Sequence, residues 1–382
     1  MSARSWSRSV PRKVAVVLFN LGGPDSPAAI KPFLLNLFRD KAILRVPFFV
    51  RPFLARIIAR SRLKPATENY AILGGRSPLL ELTEAQARAL EAAMPDLEVR
   101  CFIAMRYWHP MSLAAARAVK AWKPDEVVLL PLYPQYSTTT TGSSLTAWRE
   151  AAAQAGLIAP TTALCCYPTD PGFAAATAAR IRAEWDRARA TLDPAVPLRV
   201  LFSAHGLPEA IVKAGDPYQW QVEQTVQAVL EAWGAPGIDA AICYQSRATP
   251  QKWIDPSTEE EIERAGRERT ALLVVPIAFV SEHSETLVEL DVEYRQLADR
   301  VGVPGYFRVP TQNDDPAFIA SLADLVRHAR AAGPGLCSHQ GGRFCDGRHG
   351  DCPFATHGAP QAARQPNDRV AADEVTPAGA DA

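Results

Sequence analysis

The sequence predicts an α/β protein of two Rossmann-like domains related by duplication, each a doubly wound, four-stranded parallel sheet, with a cysteine-rich C-terminal extension. Three observations predict it. Short, near-continuous apolar runs alternate with longer helical patterns, as parallel strands covered on both faces by helices require. The halves echo each other: Val17-Leu-Phe-Asn-Leu-Gly-Gly-Pro24 matches Val200-Leu-Phe-Ser-Ala-His-Gly-Leu-Pro208, and Val127-Val-Leu-Leu-Pro-Leu-Tyr133 matches Leu272-Leu-Val-Val-Pro-Ile-Ala278. Finally, Cys337, Cys345 and Cys352 follow the last apolar run, in a polar, glycine-rich stretch that offers almost nothing to pack against.

In chain order, the first strand, 14–20, runs into Leu-Gly-Gly-Pro24. A basic segment follows: 41–67 holds seven Lys or Arg and no acid, interleaved with Val46, Phe48, Phe49, Phe53, Leu54, Ile57 and Ile58 and broken by prolines. Such a segment suits an anionic membrane surface or a lip over an apolar ligand, and the plainer reading is an amphipathic helix packed on its own domain. A helix over 79–94 leads to strand 99–106, which ends on Arg106-Tyr-Trp-His-Pro110, a cation with aromatic faces suited to a planar anion. Helix 111–122 and strand 127–133 precede the hydroxyl-rich Tyr133-Pro-Gln-Tyr-Ser-Thr-Thr-Thr-Thr-Gly-Ser-Ser144, also readable as the N-cap of helix 143–155. Strand 162–167 and helix 172–191 complete this half. The second half reads as strands 198–204, 240–244, 271–279 and 306–309, with helices over 217–233, 257–267, 284–300 and 316–332. The matched points Asn20 and Pro131 lie 111 positions apart and Ser203 and Pro276 lie 73 apart, so the first half carries an insertion of about 38, roughly residues 40–78.

Composition bounds the function. With 382 residues, 48% of them hydrophobic, the chain can bury two domain cores. Lys plus Arg and Asp plus Glu both total 41, which gives no global electrostatic case for nucleic acid. No apolar run approaches the roughly 18 residues of a membrane span. Met1 to Lys13 is basic and serine-rich but lacks the apolar core of a secretory signal, so the expected location is cytoplasmic, with peripheral attachment on the cytoplasmic face of the membrane as a variant.

The chemistry concentrates at two strand exits. One supplies His205. The other supplies His283, Glu285 and, one turn on, Glu289. A strand-end histidine alone is weak evidence, and Ser281, Glu282, Ser284 and Glu285 also suit a helix N-terminus. Capping does not explain His283. Histidines and carboxylates at the carboxyl ends of two strands mark a site where protons or a metal are handled. Asn20-Leu-Gly-Gly-Pro24 is neither a phosphate loop nor a dinucleotide fingerprint, and Pro24 removes an N–H that a phosphate would need, so no nucleotide is expected. No Gly-x-Ser-x-Gly elbow occurs, which disfavours a serine hydrolase.

These residues resemble the ferrochelatases, which insert ferrous iron into protoporphyrin IX. The resemblance runs from about Val14 to Arg330. It includes Gly74-Gly-Arg-Ser-Pro78, Arg106-Tyr107, Tyr133-Pro-Gln-Tyr-Ser137, Thr141-Gly-Ser-Ser144, Ser203-Ala-His-Gly-Leu-Pro208, Gly215-Asp-Pro-Tyr218, Tyr244-Gln-Ser-Arg247 and the block 276–294. It implies two Rossmann-like domains enclosing a porphyrin cleft, with His205 and Glu285 as iron site and acid/base pair, while His283, Glu282 and Glu289 pass protons outwards. Tyr70, Arg106, Tyr107, Trp253 and Phe279 become the expected cleft walls. Which of His205 and Glu285 takes the proton stays open.

Members of the family with a [2Fe–2S] cluster resemble this chain in its terminal cysteines. A cluster takes four thiolates: Cys337, Cys345 and Cys352, with Cys165 or Cys166 as the fourth. The vertebrate internal cysteine, just after Tyr-Pro-Gln-Tyr-Ser, is replaced here by Thr138, and the terminal spacing also departs from the vertebrate one. Zinc with His339 or His349 is the rival. The implied division is a first domain over 12–167, with the lip 40–78 and completed by helix 316–332, a second over 168–315, the cysteine extension 333–353 and a disordered tail 354–382. A homodimer is left open. The competing readings are a cobalt or nickel chelatase, a porphyrin carrier without turnover, and a peripheral membrane protein acting through its basic lip.

Overall fold

The structure is a computed structural model that describes residues 12–247 and 251–356. The readings of the N-terminal residues before Arg12 and of the tail beyond Thr356 lie outside the described residues. Two all-parallel sheets organise the chain. The first is built on β1 (Lys13–Asn20), β2 (Glu98–Met105), β3 (Glu126–Pro131), β4 (Thr161–Leu164) and β9 (Gly335–Cys337), in the order β2-β1-β3-β4-β9. The second holds β5 (Leu198–His205), β6 (Ala240–Gln245), β7 (Ala271–Pro276) and β8 (Tyr306–Arg308), in the order β6-β5-β7-β8. Without β9 the two orders are the same permutation, which is consistent with duplication. The helices are α1 (Ile30–Arg39), α2 (Arg51–Ile72), α3 (Leu79–Ala92), α4 (Ser112–Trp122), α5 (Thr141–Ala155), α6 (Pro171–Thr191), α7 (Glu209–Lys213), α8 (Tyr218–Trp233), α9 (Thr258–Glu268), a π-helix (Glu285–Glu293), α10 (Tyr294–Arg300), α11 (Pro316–Ala332) and α12 (Pro353–Thr356).

The continuous apolar strands are explained by burial on both faces. Val14, Val16 and Leu18 of β1 point into one core while Ala15, Val17 and Phe19 point into the opposite one. In the second sheet Val200 and Phe202 pack on one side and Leu201 on the other. Each such side chain contributes about 1.5–3 kcal/mol on leaving water. Helix α6 joins the halves: Phe173 and Ala176 enter a core of the first sheet, and Ala174, Ala178 and Ile181 one of the second. Its start is fixed by Asp170, which accepts from the Phe173 N–H at 2.8 Å and from the Ser321 hydroxyl at 2.6 Å. That second bond reaches α11, whose Phe318, Leu322 and Val326 pack on the first sheet.

Five expectations are corrected. The first sheet has five strands, because the start of the cysteine extension pairs with β4, Leu164 opposite Cys337. The three terminal cysteines are at most 4% exposed and do have packing partners, Cys345 and Cys352 among Tyr136 and Phe354. Residues 354–356, expected to be disordered, belong to α12, which buries Phe354. The basic segment is not broken at Pro65, which lies inside α2, and α1 precedes it as a helix that the sequence reading passed over. The run 284–300 is a nine-residue π-helix continued by α10, because apolar spacing over two turns does not distinguish the two hydrogen-bond patterns.

Candidate metal and proton site at the strand exits

β5 is central in its sheet, with β6 and β7 on either side, so His205 ends a strand at the point where the connections diverge, the usual position for a ligand in such sheets. β7 stops at Pro276, and the chain crosses to the π-helix that begins at Glu285. This crossing is held from the first domain. Gln86 of α3, fully buried, donates to the Val280 carbonyl at 3.2 Å and accepts from the Ser281 hydroxyl at 3.0 Å.

The two histidines then meet one carboxylate. His205 Nε2 lies 3.8 Å from Glu285 Oε1, and His283 Nε2 lies 3.5 Å from Glu285 Oε2. Each ring has its other nitrogen against a carbonyl: His205 Nδ1 at 2.6 Å from the Gly206 oxygen and His283 Nδ1 at 3.2 Å from the Ser281 oxygen. A carbonyl only accepts, so each Nδ1 carries a proton, and in a neutral ring Nε2 turns a lone pair towards the carboxylate. Lone pairs facing carboxylate oxygens repel unless a cation lies between them. Glu285 Oε2 is buried and finds no hydrogen-bond donor among the described residues. Burial alone would raise the Glu285 pKa, but positive charge on His205, and then the hydrogen bond and charge of His283, bring it down to about 2. The arrangement therefore attracts a proton or a metal ion. A separation of 3.8 Å also approaches the span of two metal–ligand bonds of about 2.0–2.2 Å each.

Glu289 follows on the π-helix and is shifted the other way. Burial, followed by the charge of Glu285, raises its pKa, against hydrogen bonds from Ser246 and Gln245. Glu282 sits in a different environment. Its Oε1 accepts from Arg308 Nη1 and from the Thr311 N–H, both at 2.9 Å. Arg308, 10% exposed, also grips Asp291 of the π-helix with two bonds of 2.6 and 2.7 Å. Burial works against ionised Glu282, but Arg308 foremost holds its pKa below the ordinary value. A carboxylate pinned in this way is an anchor for the π-helix before it is a carrier of protons.

The expected cleft walls divide into two groups. Phe279 stacks on His283 with ring centroids 4.6 Å apart. Trp253 packs over Gly206, beside His205, where an added Cβ would meet its ring at 3.3 Å. Tyr70, at the end of α2, points its hydroxyl to Ser284 at 3.5 Å, and burial pushes its pKa up to about 12. Arg106 and Tyr107 belong to another network. Both donate to Asp40 Oδ2, at 2.8 and 2.9 Å, and Ser143 donates to the same oxygen. Arg106 is thus half-buried and ion-paired, and Tyr107 is 1% exposed. Ser143 braces Asp40 and is not a helix cap; α5 has no side-chain cap. Sequence reasoning missed Asp40, Gln245, Asp291 and Arg308. Gln245 lay within a quoted motif, but nothing in the sequence announced partners 40 or more positions away.

Five thiols gather at the junction of the two halves. Cys165 and Cys166 have their sulfurs 3.3 Å apart. The S–H of Cys165 lowers the pKa of Cys166 to about 7, helped by His339, and Cys345 likewise lowers Cys352 to about 6. Cys345 Sγ also accepts from Gln221 of α8 at 3.0 Å. Among the described residues no three His, Cys, Asp or Glu side chains already close on a single ion. Four of the thiols come as two pairs, Cys165 with Cys166 and Cys345 with Cys352, and Cys337 lies near Cys166.

Two parallel, doubly wound sheets with ionisable side chains at the strand exits define the class as an α/β protein of the kind that binds ligands beyond the ends of its strands. Comparison gives the family. The ferrochelatase family model matches residues 13–330. A ferrochelatase of Caulobacter vibrioides is 54% identical over 90% of this chain and 97% of its own. One of Phenylobacterium zucineum is 53% identical over 88% and 99%, and one of Hyphomonas neptunium 48% over 90% and 95%. The chain belongs to the ferrochelatase family.

Replacing Arg308 by Met leaves buried Glu282 and half-buried Asp291 without their cation and costs about 3–5 kcal/mol at neutral pH. The sign with pH follows from the depressed Glu282 pKa. The stability it contributes is complete above 4.5 and is lost as the pH falls through the lower folded-state value. Urea midpoints of wild type and Arg308→Met are therefore far apart at pH 7 and converge below that range.

Proposed function

We propose that this enzyme inserts ferrous iron into protoporphyrin IX to form protohaem, with His205 and Glu285 handling metal and protons in a porphyrin cleft between the two domains. One observation carries the residue assignment: the Nε2 atoms of His205 and His283 converge on the two oxygens of one carboxylate, at 3.8 and 3.5 Å. Metallation replaces two pyrrole protons by one Fe²⁺. The site therefore has to present ligands to iron and accept protons, and a neutral imidazole opposite an ionised carboxylate serves both needs. Glu289, with its raised pKa, is suited to receive a proton from Glu285. Phe279 and Trp253 would press on the macrocycle, and Tyr70 would close the cleft from the lip side.

The five buried thiols fit a [2Fe–2S] cluster, held by Cys337, Cys345, Cys352 and either Cys165 or Cys166. The donor set is sulfur-rich, as the four thiolates of a two-iron cluster require. The cluster would stabilise or report on the domain junction, since the reaction transfers no electrons.

The lip would rest on a membrane surface. Phe48, Phe49, Phe53 and Ile57 are 79, 71, 65 and 50% exposed, with Arg56 and Arg60 exposed on the same helix. Large exposed apolar side chains among cations match an anionic lipid interface, and both porphyrin and haem are apolar cargo.

Under anaerobic conditions with Fe²⁺ and protoporphyrin IX, haem bands grow with wild type, while His205→Ala and Glu285→Gln lower turnover by at least about 10²-fold and still quench on porphyrin binding. Unchanged turnover in both variants would remove the assignment. The purified protein carries about two irons and two sulfides per chain with visible cluster absorption, which Cys337→Ser, Cys345→Ser or Cys352→Ser each abolish; zinc in their place would contradict the cluster. Vesicles rich in anionic phospholipid float the protein and neutral ones do so weakly, and Phe48→Ser, Phe49→Ser and Phe53→Ser together abolish flotation.

A further inference from the structure

The Tyr244-Gln-Ser-Arg247 motif has no part in the chemistry so far. Gln245 ends β6 directly beside His205, its register partner on β5. It is fully buried, and its side-chain amide touches two of the π-helix glutamates, Glu285 and Glu289. Nε2 donates to the Glu285 carbonyl at 3.0 Å and to Glu289 Oε2 at 2.9 Å, which engages both amide hydrogens. Oε1 accepts from the Ser203 hydroxyl at 2.9 Å. Turning the amide over would set Oε1 against a carbonyl and a carboxylate, three acceptors without a hydrogen, so Ser203 and the two glutamates fix one orientation.

A row of buried polar groups stands behind this contact. Ser203, fully buried, lies 3.2 Å from the Thr258 hydroxyl, which itself donates to Cys243 Sγ at 3.2 Å. In front of it, Glu289 is held on every side. Ser246, at the left-handed φ of 66°, also donates to Oε2, and the Tyr294 hydroxyl donates to Oε1 at 3.0 Å. A serine kept in that region of backbone space is strained, and strain is retained where the surroundings over-determine it.

We propose that Gln245 is a positioning residue for metal insertion, fixing the Glu289 carboxylate in register with the His205–Glu285 pair. The proposal rests on the assignment of that pair as the metal-handling site. One strand pair carries both elements: β5 ends on His205, and β6 ends on the amide that holds Glu289. Displacements of about 1 Å in a reacting constellation can change rates about 10²-fold, so an anchor of this kind acts on the iron step and leaves porphyrin binding alone.

The test is a double-mutant cycle in the full-length protein, with anaerobic steady-state kinetics in Fe²⁺ and in porphyrin. Gln245→Met keeps the shape and removes both donors. It lowers kcat/KM for Fe²⁺ about tenfold and leaves KM for porphyrin within about twofold. On a Glu289→Gln background it has no further effect. Multiplying effects, or a folded Gln245→Met with unchanged iron kinetics, overturn the proposal. So does a silent Glu289→Gln beside an impaired Gln245→Met. Should Gln245→Met melt out at the assay temperature, Ser203→Ala is read in its place: it removes the donor to Gln245 Oε1 and loosens the amide, lowers kcat/KM for Fe²⁺ by a smaller factor, and becomes silent with Glu289→Gln. An effect that persists on that background overturns the proposal. Full activity of His205→Ala would instead sink the metal-site assignment, an outcome distinct from all of these.

Discussion

A half-buried carboxylate between two imidazole nitrogens is the constraint on which the rest of this structure depends. Glu285 is held ionised inside the fold by the two histidines, and that is costly to build without support. The support comes from three directions. Arg308 clamps the π-helix through Asp291 and fixes Glu282 next to His283. Gln86 reaches across from the first domain to hold the crossing before it. Gln245 ties the main chain of Glu285 to the strand beside His205. A π-helix persists where outside donors occupy its carbonyls, and here the Tyr306 hydroxyl does so at Leu290.

The cysteine extension gains its place from the same logic. β9 completes the first sheet, while the segment after it contacts the second half through Gln221 and through Gly215, where the Asp351 N–H meets its carbonyl. Gly215 has a φ of 111°, and an added Cβ would come within 2.8 Å of the Gly350 nitrogen. The neighbouring Asp216, fully buried, accepts from Ser137, Thr138 and the Tyr218 N–H. The thiols therefore lie on the seam between the halves, joined to α8 and to the Tyr-Pro-Gln-Tyr-Ser loop.

The legible parts of the fold were those with a local signal. Strands buried on both faces write themselves as apolar runs, and the duplicated strand order follows from matching β1 with β5 and β3 with β7. His205 and Glu285 stood out because ionisable groups at the exit of an apolar strand are conspicuous. Illegible features were those decided by distant partners. Arg106 reads as a free cation until Asp40, 66 positions earlier, neutralises it. The terminal cysteines read as unpacked until strand pairing brings Cys165 and Cys166 beneath them. Gln245 and Arg308 carry no signal of their own, since an amide or a guanidinium acquires a role only from what surrounds it.

The most direct measurement is an anomalous difference map from a crystal soaked anaerobically with a divalent metal such as Co²⁺. The account predicts a peak bonded to both His205 Nε2 and Glu285 Oε1, at about 2.0–2.2 Å from each. A peak bonded to neither residue, with metal found only among the thiols or along the outer acidic surface, would contradict it.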